Sequence, residues 1–277
     1  METSLFSCPL CGGTLTRRER SLFCPKGHCF DLSKEGYANL LPVGQKHAKF
    51  PGDDPGMVAA RSQFLAAGYY LPLRRALEEA AVRFCRGRQR PVVVDCGCGE
   101  GYYTAGLYQA LEQEGLSPRV AGFDISKFAL RRAAKQLPQG EFAVASVHHI
   151  PLPDCAADLL VDVFSPLDIG QFRRILKPGG GFFYVVPGAR HLWELKEILY
   201  DTPYENAEKK VEYPGFRYRE ILPVDYTMHL KTPQAIQALF QMTPYYWKTP
   251  RAGKEALSKV ESLTCRVSFD IHCFTAE

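Results

Sequence analysis

The stretch Val92-Val93-Val94-Asp95-Cys96-Gly97-Cys98-Gly99-Glu100-Gly101 decides the fold of this chain. Three β-branched residues followed by an acid make a short run suited to a buried strand. Glycines then recur at alternate positions, and Tyr102 to Gln113 has the pattern of a helix. A strand that breaks at a glycine turn and enters a helix lets backbone approach a ligand at the carboxyl end of a sheet. Two other glycine turns of this kind are excluded. The dinucleotide fingerprint needs a glycine where Tyr102 stands, and the phosphate loop needs a lysine that is absent.

The alternation continues downstream. Strands are expected at Arg119 to Asp124, Glu141 to Ala145, Ala157 to Phe164 and Gly181 to Val186. Helices are expected between them at Lys127 to Leu137 and Leu167 to Leu176, the second ended by Lys177-Pro178-Gly179-Gly180. Such βαβ alternation predicts an α/β, Rossmann-like fold with a mostly parallel, doubly wound sheet. The tail departs from it. Asp225 to Leu230 and Thr264 to Phe274 look like strands, with helical stretches at Pro233 to Met242 and Gly253 to Val260 between them, and predict an antiparallel edge. Upstream, Met57 to Arg86 has helical spacing with a break near Gly68 to Pro72, and residues 42–56 carry enough turn-formers to be a linker or exposed loop.

The glycine turn resembles the D-x-G-x-G-x-G turn of class I S-adenosylmethionine-dependent methyltransferases. That resemblance implies that Asp95, Gly97, Gly99 and Gly101 border the cofactor. Asp124, closing the second strand, would accept the ribose hydroxyls. Ser146 and Val147, after the third strand, would contact the adenine. Leu176 to Gly181 is also typical of such domains, and Asp162-Val163-Phe164-Ser165-Pro166 stands where these enzymes face their substrate.

The first residues carry a different chemistry. Cys8-x2-Cys11-x12-Cys24 is followed by His28 and Cys29 side by side. Two cysteines two residues apart aim both thiolates at one point, and a second pair about a dozen residues on completes a tetrahedron suited to zinc. The fourth ligand is either His28 or Cys29, with His28 favoured. Four protein ligands leave no open position, so the zinc is expected to be structural, a staple for a segment with too little apolar material for its own core. The expected organisation is a zinc-binding domain over residues 1–41, a linker and helical segment over 42–90, and the methyltransferase domain over 91–277.

The bulk composition fits this reading. Apolar residues at 46% and charged residues at 23% are ordinary for a globular protein. The net charge of +4 permits a phosphate-rich partner without requiring one. Most of the excess is early, with seven Lys/Arg against four Asp/Glu in residues 1–50. No secretory leader or membrane span is visible, and ten cysteines without a leader argue for a reducing compartment, so the expected location is the cytoplasm with no membrane partner.

Zinc ribbon and methyltransferase turn together narrow the family. Cys24-Pro25-Lys26-Gly27-His28-Cys29-Phe30-Asp31 and Lys34-Glu35-Gly36-Tyr37-Ala38-Asn39-Leu40-Leu41-Pro42 resemble the RlmA family. So do Pro51-Gly52-Asp53, Arg61 to Tyr69, Pro187-Gly188-Ala189-Arg190-His191-Leu192, Glu194-Leu195-Lys196 and Gln241-Met242-Thr243-Pro244, and together they span essentially the whole chain. The resemblance implies methyl transfer to N1 of a guanine in a hairpin loop of 23S ribosomal RNA by a homodimer. On the substrate side the candidates are Phe164 to stack on the base, Ser165 and Pro166 beside it, Arg190 to bind phosphate or O6, and His191 to take the N1 proton. Arg17, Arg18, Arg20, Lys26, Lys46, His47 and Lys49 are candidates for gripping phosphates, and Tyr245-Tyr246-Trp247 for stacking on bases. Two alternatives stay open at this point: a methyltransferase acting on tRNA or a small molecule, and a non-catalytic RNA-binding module with a vestigial cofactor fold.

Overall fold

In the computed structural model, residues 2–42, 44, 52–207 and 212–277 are described; the expected phosphate-gripping residues Lys46, His47 and Lys49 lie outside them. The chain begins with a small antiparallel sheet of β1 (Glu2–Ser7), β2 (Thr14–Arg18), β3 (Ser21–Phe23) and β4 (Cys29–Asp31), hydrogen-bonded in chain order. Its apolar side chains Leu5, Phe6, Leu15 and Leu22 are buried in one cluster with Ala143, Ile150 and Leu152 of the large domain. The ribbon thus borrows a core instead of building one, as its composition requires.

Next come β5 (Tyr37–Asn39) and the helices α1 (Pro55–Ala66) and α2 (Leu71–Cys85). Asp54 caps α1 by accepting from Met57 N at 2.9 Å, with Pro55 in the first turn, where its missing N–H costs nothing. The alternating region follows: β6 (Val92–Cys96), α3 (Tyr102–Gln113), β7 (Arg119–Asp124), α4 (Lys127–Gln136), β8 (Glu141–Val144), β9 (Ala157–Val163), α5 (Ile169–Ile175) and β10 (Leu176–Pro187). The tail holds α6 (Trp193–Leu199), β11 (Phe216–Leu230), α7 (Pro233–Met242), α8 (Tyr245–Lys248), α9 (Arg251–Leu257) and β12 (Leu263–Ala276).

The large sheet runs β11-β12-β10-β9-β6-β7-β8-β5. Strands β5 to β10 pair in parallel, while β12 is antiparallel to both β10 and β11. The order reverses at β6, so the crevice for a ligand opens beyond the carboxyl ends of β6 and its neighbours β7 and β9. Both faces of the central strands are covered: Val93, Leu159 and Val185 face one cluster, and Val94, Leu160 and Phe182 face the other.

The structure departs from the expected elements in four places. Residues 37–39, for which no strand was expected, form an edge strand of the large sheet, with Ala38 opposite Ala143. Three residues are too few for periodicity to show. Lys177 to Gly180, expected only to end a helix, lie inside β10 as an irregularity in register between Leu176 and Gly181. The strand β11 starts at Phe216, nine residues before the expected Asp225, and its polar residues and Pro223 are tolerated because it is an edge. The short helices α6 and α8 were not anticipated.

Candidate active site and metal centre

The turn after β6 is tied to the end of β7. The N–H groups of Gly97 and Cys98 donate to Phe123 O at 2.9 and 3.1 Å. Gly97 has φ +70, and a Cβ there would lie 2.4 Å from Ser165 Cβ, so only glycine allows the turn after β9 to come this close. Gly99 N donates to Asp124 Oδ2 at 3.0 Å, and Ser126 N to Asp124 Oδ1 at 2.7 Å. Both carboxylate oxygens are oriented by backbone and keep acceptor capacity for paired hydroxyls. Gly101, at the start of α3, packs against Ala133 of α4. Ala145 N donates to Asp124 O, which brings Ser146 and Val147 alongside the same strand end.

Asp95 is buried and accepts from Thr104 Oγ1 at 2.5 Å. Burial pushes its carboxyl up to about 7, while the Thr104 bond pulls it down. Asp124 is raised by burial in the same way. An open glycine cradle beside a backbone-held acid and a segment for a flat ring suits S-adenosylmethionine, which carries a ribose, an adenine and two cationic centres.

On the other side of Gly97, Phe164 is held at φ +62 and is 47% exposed. A bulky residue with positive φ is strained and signals a constrained site. The turn is fixed by Ser165, whose N–H donates to Asp162 Oδ1 and whose hydroxyl donates to Cys96 O, both at 3.0 Å. Asp162 is fully buried, its other oxygen has no hydrogen-bond partner among the described residues, and burial raises its carboxyl well above the ordinary range. Phe164 leans on Phe269 at 5.3 Å between ring centres, and Phe269 on His191 at 4.4 Å. The structure therefore brings Phe164, Ser165 and His191 into one layered patch.

His191 lies in the lower layer. It is buried, its Nδ1 accepts from Ser268 N at 3.3 Å, and burial pushes its imidazole down to about 3. Such a ring is neutral and a weak proton acceptor at neutral pH. Arg190 points outward instead, with its guanidinium over Trp193 at 4.4 Å and 3.9 Å from Glu205. Of the expected base-stacking residues, Trp247 is 67% exposed.

Several residues around the crevice were given no role in the sequence reading. Gly52 packs on Ile125 and Ser126, and Ser126 Oγ donates to Asp53 O at 2.7 Å. Arg61 of α1 forms an ion pair with Asp53, and Ser62 Oγ donates to Glu100 Oε1 at 3.2 Å. Glu100 lies in the quoted turn itself, but only the fold shows that its carboxylate is buried against α1.

In the ribbon, ligand atoms of Cys8, Cys11, Cys24 and His28 lie within 4.8 Å of one another. Cys11 Sγ and Cys24 Sγ are 3.7 Å apart, and His28 Nδ1 is 3.4 Å from Cys8 Sγ and 3.3 Å from Cys24 Sγ. A tetrahedral zinc with bonds of about 2.3 Å separates its sulfurs by about 3.8 Å, so the set fits that ion. Cys29 is exposed at the start of β4 and is not in the group.

Residues 6–49 match the model of the RlmA N-terminal zinc ribbon, and residues 93–180 match a methyltransferase domain. A Micromonospora griseorubida protein, named as a candidate 23S rRNA (guanine-N(1)-)-methyltransferase, is 40% identical over 94% of this chain and 94% of its own length. The chain belongs to the RlmA family. Another relative, the 23S rRNA (guanine(748)-N(1))-methyltransferase of Streptomyces fradiae, is 40% identical over 69% of this chain and 66% of its own. The YcgJ protein of Bacillus subtilis shares the fold of the large domain, with a TM-score of 0.50 at 12% identity over 72% of this chain and 97% of that one. This RlmA-family chain is thus a class I S-adenosylmethionine-dependent methyltransferase fused to a zinc ribbon. Among the described residues no helix is long and apolar enough to cross a membrane.

Proposed function

We propose that this RlmA-family enzyme transfers a methyl group to N1 of a guanine in a hairpin loop of 23S ribosomal RNA. The observation that carries the reading is a relative of that named activity at 40% identity across both domains. The crevice supports it chemically. S-adenosylmethionine supplies an electrophilic methyl group, and the protein's task is to hold a nucleophilic ring nitrogen in line with it. Phe164, exposed at the lip beside Gly97, is the stacking platform for an unpaired loop base, which is partly unstacked before binding. Ser165 fixes that platform through Asp162 and Cys96. Arg190, outside the hydrophobic layer, is the contact for phosphate or O6. His191 serves as a neutral support beneath Phe269 rather than as the proton acceptor, given its burial and its engaged Nδ1.

Asp95, Gly97, Gly99, Gly101, Asp124, Ser146 and Val147 form the cofactor side. Cys8, Cys11, Cys24 and His28 hold one structural zinc. Arg17, Arg18, Arg20 and Lys26, all exposed on the ribbon, extend the grip along the RNA backbone. The working unit is a cytoplasmic homodimer. The test is methyl transfer from labelled S-adenosylmethionine to unmodified 23S ribosomal RNA, followed by nucleoside analysis. The expected product is 1-methylguanosine. Label in another nucleoside, or in tRNA alone, overturns the assignment.

A further inference from the structure

S-adenosylmethionine has three arms on its sulfur. In the crevice described above, Asp124 would hold the adenosyl arm and Phe164 would lie on the side of the methyl arm. The third arm, an amino acid with a free carboxylate, is left to run along the glycine turn. A carboxylate in a crevice lined by Asp95, Asp124 and Glu100 meets repulsion unless a cation is supplied. Two positive charges lie near Glu100, Arg61 of α1 and Arg132 of α4, and Arg61 acts on it the more strongly.

Arg61 Nη1 lies 4.0 Å from where a Cβ on Gly99 would be, and among the described residues nothing else beyond the neighbours in the chain comes within 4 Å of that point. The slot between the turn and α1 is therefore open and walled by a guanidinium. Asp53 pairs with the Arg61 Nη1 group, and Asp53 is itself anchored by Ser126 Oγ on its carbonyl. One pairing leaves a guanidinium with further donors, which suit a carboxylate. The electrostatics of Glu100 and Asp124 both register Arg61 as a neighbouring positive charge. Glu100, 5% exposed, leaves Oε2 without a hydrogen-bond partner among the described residues.

We infer that Arg61 binds the carboxylate of the cofactor's amino-acid arm, with Asp53 holding the guanidinium in place, so that α1 completes the cofactor site from outside the methyltransferase domain. This rests on the cofactor being S-adenosylmethionine.

The test uses calorimetry on the full chain with two ligands. S-adenosylhomocysteine carries the amino-acid arm; 5′-methylthioadenosine keeps the adenosyl and methyl arms and lacks it. Arg61→Met is expected to weaken S-adenosylhomocysteine on the order of 10- to 100-fold, the loss of a charge-assisted contact, and to leave methylthioadenosine within about twofold. Arg61→Lys should recover part of the loss for the first ligand only. Equal weakening of both ligands by Arg61→Met means a structural role and overturns the proposal, as does no weakening of either. Asp53→Asn, which keeps the guanidinium, should retain most of the binding. If it matches the Arg61→Met loss for both ligands, the ion pair matters only to the fold, and the proposal fails. A wild-type chain that binds neither ligand removes the cofactor reading itself.

Discussion

At the residue scale the crevice depends on positions with no freedom to change. Gly97 combines φ +70 with a turn whose Ser165 Cβ would lie 2.4 Å from any added Cβ. Gly97→Ala should cost about 1–3 kcal/mol of stability by strain. It should also weaken S-adenosylhomocysteine more than about tenfold, because relief of the clash moves either the glycine turn or the Phe164 turn. Calorimetry and denaturant titration check both. A second residue-scale consequence concerns pH. The unfolded chain protonates His191 below its ordinary 6.5, whereas the folded chain holds the ring neutral until about 3. The unfolded state thus binds more protons in that window, and falling pH destabilises the fold, by roughly 2 kcal/mol at about pH 5. Asp95, raised to about 7, acts in the opposite sense, since the folded chain keeps its proton there and gains stability as pH falls. The two are separated by comparing the protein with His191→Gln. The variant's deficit in unfolding free energy should shrink by about that amount between neutral pH and pH 5, and a constant deficit would show that the imidazole is not held neutral.

At the element scale, strands with buried β-branched runs and helices with apolar residues at helical spacing were legible in the sequence. The strand read over Pro91 to Cys96 forms as Val92 to Cys96, and Tyr102 to Gln113 and Arg119 to Asp124 are found as read, because local pattern and tertiary burial agree there. The cofactor turn was legible for the same reason. What was not legible depends on distant partners. Tyr37 to Asn39 becomes a strand only because β8 offers a free edge, and the first half of β11 only because β12 runs opposite it. Arg61 entered the sequence reading only as the start of a stretch resembling the RlmA family, and no local signal shows that α1 brings it to Gly99. His191 is a candidate base in the sequence, and its burial beside Phe269 is visible only in the fold. The ribbon yields an element-scale prediction. Its four strands are linked by short turns around Cys8, Cys11, Cys24 and His28, and metal supplies folding free energy in such units. Elemental analysis should find one zinc per chain. Chelation should make the amides of β1 to β4 exchange quickly while β6 to β9 stay protected. Unchanged exchange after metal loss would mean that packing on Ile150 and Leu152 alone holds the ribbon.

At the scale of the whole molecule, ribbon and large domain act as one body. Glu141 joins them, accepting from Ser4 Oγ at 2.5 Å and Leu5 N at 2.8 Å while pairing with Arg119, which also donates to Thr3 O. Ser7 N donates to Pro151 O across the same seam. A rigid seam fixes the distance from the exposed ribbon arginines to Phe164, so the spacing between gripped backbone and presented base is built into the core. The order of the large sheet has a consequence for how the protein is made. The strand β12 lies between β10 and β11 but is synthesised long after β10. A ribosome therefore extrudes β10, with Phe182 and Phe183, while one of its edges has no partner to bond. The nascent chain passes through a stage in which that open, aromatic edge can pair with a neighbouring chain instead. Fast translation at high expression should crowd such intermediates together, and slow synthesis or chaperone cover should favour the enzyme that closes its own sheet.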